Sequence, residues 1–349
     1  MKRKRLVVTA RHGASAPGSS AGGAVDRSVD LAPGREGGLW LAHPVLVAAG
    51  GAGFGIELLD ELPASLPGAL VTVGVTLAAQ RGNPPPRMVA LAGGLLSSVG
   101  PQNPGIERVL SRYAARWASF EVPIILNLCA ESEADFASLA RMVDGRSEIG
   151  GVELNLACGE RRRGGQPFGL EPEATSRVVG AVRAVTSLPL IAKLTPAAAD
   201  VRGVAHAAAD AGADAISASG SLPALAIDRA RRRPALGSTY GGLSGSVLKP
   251  VALRIVHDIA QVVDVPVIGV GGVACLEDVL DLLMAGASAV GLTTATLADP
   301  GLPGRLGLEL EAWCRDEGLG SHREIVGAAL PARRSRIPAV GAEYRLARS

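Results

Sequence analysis

A closed (β/α)8 TIM barrel of the α/β class is predicted by three features of the sequence. Short apolar runs of β type recur eight times between residues 44 and 292, and longer stretches with a helical period separate them. A glycine pair, Gly271-Gly272, follows the seventh run, and Gly291 lies in the eighth, where such barrels gather backbone N–H groups. The 349 residues accommodate one large barrel with extensions. With 48% apolar and 19% charged residues, the chain can bury an interior of that size, which excludes disorder throughout.

Residues 1–25, rich in Gly, Ser, Pro and Arg without periodicity, are expected to form a mobile arm, the barrel to occupy 26–330, and 331–349 to form a basic tail. The eight runs are Pro44–Ala48, Ala69–Val73, Pro123–Leu128, Gly151–Leu156, Leu190–Leu194, Ala215–Ala218, Val267–Val270 and Ala289–Leu292. Between them, Phe136, Leu139, Met142 and Val143 share one helical face; Val178, Val179, Val182 and Val185 share another, and Val279, Leu280, Leu282 and Leu283 a third. Gly286 is placed to end that third helix. Strands alternating with helices imply parallel βαβ units. The long spacings after the second and sixth runs leave room for excursions over the barrel mouth, where the chemistry of such folds lies.

Several partner classes are excluded by composition. Four Phe, three Tyr and three Trp make a stacking platform for bases improbable, and a net charge of +2 provides no field for nucleic acid or anionic lipid. The four cysteines, Cys129, Cys158, Cys275 and Cys314, lack the close spacing of a zinc or iron–sulfur motif, so no metal is expected and a reduced cytoplasmic protein fits. No apolar run approaches the roughly 18 residues needed to span a bilayer. A small-molecule substrate is what remains.

Val267-Ile-Gly-Val-Gly-Gly-Val273 and Val290-Gly-Leu-Thr-Thr-Ala295 close the seventh and eighth runs. They read either as a phosphate site made of backbone N–H groups or as tight turns. Lysine is scarce: the chain has four, two of them in the arm, leaving Lys193 and Lys249. Lys193 sits inside an apolar run, where an unpaired ammonium is costly, so it calls for an anionic partner. One reading sets it against the edge of a flavin, where negative charge builds on reduction; the other leaves it as a snorkelling strand-end lysine.

These residues resemble the flavin-dependent dihydroorotate dehydrogenases, from about Val29 to Gly327. The likeness is carried by His43-Pro-Val-Leu-Val-Ala-Ala-Gly-Gly-Ala-Gly-Phe-Gly55, Gly82-Asn-Pro-Pro-Pro-Arg87, Gly100-Pro-Gln-Asn-Pro-Gly105, Glu153-Leu-Asn-Leu-Ala-Cys158, Gly164-Gly-Gln-Pro-Phe-Gly169, Ala192-Lys-Leu-Thr-Pro196 and Gly241-Gly-Leu-Ser-Gly245. It is nearest to the branch that uses cysteine as base together with a separate iron–sulfur flavoprotein. The resemblance implies FMN, with Asn127 and Lys193 at the isoalloxazine edge, Gly271, Gly272, Thr294 and Ala295 at the phosphate, and Ala48, Ala49, Gly50, Asn155 and Gly245 as further cofactor-binding residues. It further implies an electron-transfer flavoprotein as partner, a homodimer, and Cys158 and Lys193 as catalytic residues. Taken alone, Cys158 also reads as a small buried filler.

The substrate positions implied by the resemblance are Ser97, Asn155, Glu160, Gly220 and Ser221. The family's asparagines are replaced at 97, 160 and 220, leaving only Asn155, and the lysine expected at the end of the second run is Val73. Each missing buried hydrogen bond costs about 1–3 kcal/mol, so orotate is expected to bind badly. The sequence therefore reads as an FMN-dependent oxidoreductase acting on the CH–CH or C=C bond of a different small molecule. An authentic dihydroorotate dehydrogenase and a non-redox flavin- or metabolite-binding barrel stand as alternatives. Arg161–Arg163 and Arg229–Arg233 read first as solvated loops, and the former also as a clamp for an anion.

Overall fold

The computed structural model describes residues 24–56, 65–160 and 164–331. The arm and the basic tail therefore lie almost wholly outside the described residues, and Arg161–Arg163 entirely so. Each of the eight apolar runs forms a strand: β1 (Val45–Val47), β2 (Leu70–Val71), β3 (Ile124–Leu128), β4 (Gly151–Asn155), β5 (Leu190–Lys193), β6 (Ala215–Ala218), β7 (Val267–Val270) and β8 (Ala289–Leu292). Every strand pairs in parallel with its neighbours in sequence, and β8 pairs with β1 to close the barrel.

Alternation along the strands divides the core in two. Leu46, Val71, Ile125, Ile191, Ile268 and Ala289 fill the barrel interior, while Ile124, Leu126, Val152, Leu154, Ala192 and Ile216 face the helices. A short antiparallel hairpin, Val29–Asp30 with Trp40–Leu41, plugs the lower end with the buried side chains of Leu31, Leu39 and Leu41.

Among the described residues the α-helices are α1 (Ile106–Trp117), α2 (Glu133–Val143), α3 (Pro172–Arg183), α4 (Val201–Asp210), α5 (Lys249–Ile259), α6 (Leu276–Met284), α7 (Thr294–Ala298) and α8 (Leu302–Asp316). Local chemistry starts them: the Ser132 hydroxyl accepts from Asp135 N–H, the Asp200 carboxylate accepts from Gly203 N–H, and prolines occupy the first turns of α3, α5 and α8. Gly286 follows the end of α6 at φ 116°, as its position in the sequence predicts. The expected faces are buried, except that Val185 and Leu280 are half-buried and Met142, at the edge of its stripe, is exposed.

The two excursions meet. Met88–Leu91 and Gly94–Ser97, from the segment after β2, join Gly241–Ser244 and Leu222–Ala224, from the segment after β6, in a four-stranded antiparallel sheet. This sheet roofs the carboxyl ends of the barrel strands.

Candidate active site

The uppermost inward positions of the barrel are polar. By the two-residue period that puts Ile125 and Ile191 inside, Asn127, Glu153 and Lys193 also face inward, at 0%, 1% and 9% exposure. Asn127 Nδ2 donates to Glu153 Oε1 at 2.5 Å, and Lys193 Nζ lies 3.6 Å from the same oxygen. Glu153 is thus the anionic partner that a buried Lys193 requires. Asn127 is fixed further by its backbone N–H, which donates to Thr72 Oγ1 at 3.1 Å. Removing one member of such a pair would strand the other, at a cost of about 3–5 kcal/mol.

Above this layer an elongated cavity of about 360 Å³ runs across the mouth. Gly271, Gly272, Thr294 and Ala295 line one end, and Asn127, Asn155 and Lys193 the other. The glycines are geometrically required. Gly271 and Gly272 have φ of 133° and 81°, and a Cβ on Gly272 would stand 2.4 Å from both the N and Cα of Lys249. The remaining lysine outside the arm is therefore structural: its ammonium lies 2.6 Å from Asp278 and 2.7 Å from Asp281. Although burial pulls its pKa down, those two carboxylates hold it above the ordinary lysine range. The helix α7 is tied to the roof by Thr294 Oγ1 donating to Ser244 Oγ at 2.8 Å.

Most of the residues singled out in the sequence line this cavity: Ala49, Gly50, Asn127, Asn155, Lys193, Gly245, Gly271, Gly272, Thr294 and Ala295, together with Ser97, Gly220 and Ser221. Ala48 does not. It is buried inside the barrel against Gly291, because alternation turns its methyl below the cavity floor. Cys158 lines a second, wider cavity of about 1290 Å³, and Gly74, Asn155 and Ala157 form the wall common to both. Its backbone is pinned by its own N–H donating to Asn155 O and its carbonyl accepting from Phe168 N–H. The backbone of Glu160 pairs with Gln166 in a two-residue ribbon. The arginines of Arg229–Arg233 are exposed, and Arg231 pairs with Asp228 at 2.9 Å.

Two participants are not assigned a role by the sequence reading. Glu153 is a lone acid in an apolar strand, the same signal that marks Lys193. Cys129, one residue past β3, shares the second cavity with Cys158. Its hydrogen bond with Cys158 and its burial push its thiol pKa well up, so it remains a neutral donor, and its Sγ lies 3.5 Å from Asn127 Oδ1. Among the described residues, no group of three His, Cys, Asp or Glu side chains is placed to hold a metal, and no helix is long and apolar enough to cross a membrane.

A positive-φ glycine cradle at one end of the cavity and a lysine–carboxylate–amide cluster at the other fit a phosphorylated, ring-bearing group. The architecture is that of a flavin-binding oxidoreductase barrel. The family model for dihydroorotate dehydrogenase matches residues 37–313, and the chain belongs to that family. It is 44% identical over 292 residues to the dihydroorotate dehydrogenase B (NAD(+)) catalytic subunit of Desulforudis audaxviator, covering 84% of this chain and 95% of that protein. To the proteins of the same name from Geobacter sulfurreducens and Geotalea uraniireducens it is 39% identical over 303 and 308 residues, covering 87% and 88% of this chain and 98% and 99% of theirs. The chain is accordingly an FMN-dependent oxidoreductase of CH–CH donors.

Proposed function

We propose that this chain is the catalytic barrel of a dihydroorotate dehydrogenase, in which a proton and a hydride leave neighbouring carbons of dihydroorotate to form orotate. The observation that supports this reading is the join between the two cavities: Asn155 and Ala157 separate the lysine-bearing ring end from the thiol of Cys158. Bound FMN would supply the hydride acceptor. Gly271, Gly272, Thr294 and Ala295 would hold its phosphate, and Lys193 would offset the negative charge that develops at its ring. Cys158, as thiolate, would take the proton from the loop after β4, and Asn155 would orient the substrate between base and ring. The relatives' names make them catalytic subunits of an NAD(+)-linked enzyme. Carried over, electrons would leave this barrel for a partner chain.

One observation favours a second reading, in which the same machinery acts on a different CH–CH or C=C compound. Val73, Ser97 and Gly220 line the cavity where the family resemblance places a lysine and two asparagines. Glu160 stands in sequence where a third asparagine is expected, and Asn155 alone keeps its amide. Anaerobic mixing of the FMN-loaded protein with dihydroorotate separates the two. Rapid bleaching of the flavin, abolished by Cys158→Ala, supports dihydroorotate as substrate. An FMN-loaded protein that dihydroorotate does not bleach, and whose spectrum millimolar orotate does not perturb, supports the second reading. A chain that takes up no FMN defeats both.

A further inference from the structure

The contacts of Glu153 go beyond neutralising one buried lysine. Its Oε1 is shared, accepting from Asn127 Nδ2 at 2.5 Å while lying 3.6 Å from Lys193 Nζ. The Glu153 side chain is 2% exposed and that of Lys193 11%, so little water screens the field between them. The amide orientation that donates Nδ2 to Glu153 turns Asn127 Oδ1 toward Cys129 Sγ, 3.5 Å away. A continuous polar chain therefore runs from Lys193 through Glu153 and Asn127 to the cysteine beside the base.

We propose that Glu153 is a positioning residue that sets how much of the Lys193 charge reaches the flavin, and so tunes the flavin's reduction potential. The inference rests on the placement of the flavin ring against Lys193 in the reading above. Glu153 touches neither the cavity wall nor the reacting atoms; it acts through the ammonium and through the orientation of Asn127. Its negative charge offsets part of the lysine's field at the ring. Removing that charge while keeping the side-chain shape leaves the ammonium less compensated, which favours the electron-rich, reduced flavin.

The test is the midpoint potential of bound FMN in Glu153→Gln, measured in the wild-type and Lys193→Gln backgrounds. FMN content of the wild-type protein is determined first: a chain without FMN sinks the site reading itself, whereas bound FMN with an unmoved potential sinks only this proposal. In the wild-type background Glu153→Gln is expected to raise the preference for reduced over oxidised flavin about tenfold, which is about +30 mV for a two-electron couple. Lys193→Gln alone is expected to move the potential the opposite way. In the Lys193→Gln background the effect of Glu153→Gln is expected to vanish, because there is no ammonium left to act through. A merely structural role would shift the potential equally in both backgrounds, and that result, or no shift in either, overturns the proposal. If Glu153→Gln fails to retain FMN, retention decides. The double variant, free of both charges, is expected to bind FMN more tightly than the single one. Equal loss in the two overturns the coupling.

Discussion

Gly220→Asn puts back an amide where the family resemblance expects one, and the cavity has room for it. A Cβ at position 220 would find its nearest neighbours at 3.8 Å, Leu194 O, and 3.9 Å, Pro196 Cδ, both ordinary contacts. Position 220 is not among the positive-φ residues, so a side chain there strains no backbone. The new carboxamide would enter the same cavity as Asn155 and Ser221, over the ring end. One net hydrogen bond to a pyrimidine-dione is worth about 0.5–1.5 kcal/mol, and a carboxamide can make two, less the cost of ordering its side chain. Orotate affinity should therefore rise about tenfold, or about 1.4 kcal/mol. The assay is titration of the FMN-loaded variant with orotate, followed through the flavin spectrum, beside the same titration of the wild-type protein. Ser97→Asn is expected to act in the same direction from the roof, since Ser97 lines the same cavity. If Gly220→Asn retains FMN but leaves orotate binding unchanged or weaker, a neighbouring group or a bridging water already fills that role. The argument from missing amides would then be wrong.

Gly272→Ala should cut FMN affinity at least tenfold, because the added methyl would meet the Lys249 backbone at 2.4 Å and the residue sits at φ 81°; flavin release followed by fluorescence reads this directly. Stability should fall as pH drops from about 6.5 toward 4, since burial, with the charge of His43, holds His322 down at about 4 while the unfolded chain binds that proton near 6.5. The difference between those values corresponds to about 3 kcal/mol, present in full above the window and lost below it, so urea midpoints at a series of pH values should decline across it. His322→Leu should flatten that decline, and because both ring nitrogens of His322 are buried without partners among the described residues, it should not destabilise the protein at pH 7. A decline as steep in the variant as in the wild type would place the titration elsewhere.

The barrel is legible in the sequence because each strand announces itself locally. A buried parallel strand shows as a mainly apolar run of four to six residues, and closure follows once eight such runs alternate with helices. The roof is not legible in the same way. Its central pairing joins Ser97 to Gly242, residues 145 positions apart in strands only four residues long, with no apolar alternation strong enough to show which segments meet. Only the free length after the second and sixth strands signals that something covers the mouth.

The site divides along the same line. Lys193 stands out because a charge in an apolar strand is anomalous wherever its partner lies. Glu153 carries the same anomaly, yet its role depends on the β4–β5 register, in which Lys193 stands beside Asn155 and Glu153 beside Ile191. Cys129 carries no signal of its own in the sequence; the β3–β4 register, with Leu128 beside Leu154, sets it next to the loop that carries Cys158. Gly220 is the hardest case. A loop glycine ordinarily marks a turn that no side chain could adopt, and Gly272 obeys that rule. At position 220 the backbone requires no glycine and nearly 4 Å of space surrounds the missing Cβ, so packing does not explain the residue. What remains is the cavity itself: a position that lines it, could hold an amide, and does not. No amide stands there, while the positive-φ glycine cradle at Gly271 and Gly272 is intact. Under the proposed function, cofactor binding and substrate choice fall to different residues of this barrel, and substitutions at 97 and 220 should move ligand preference without moving FMN.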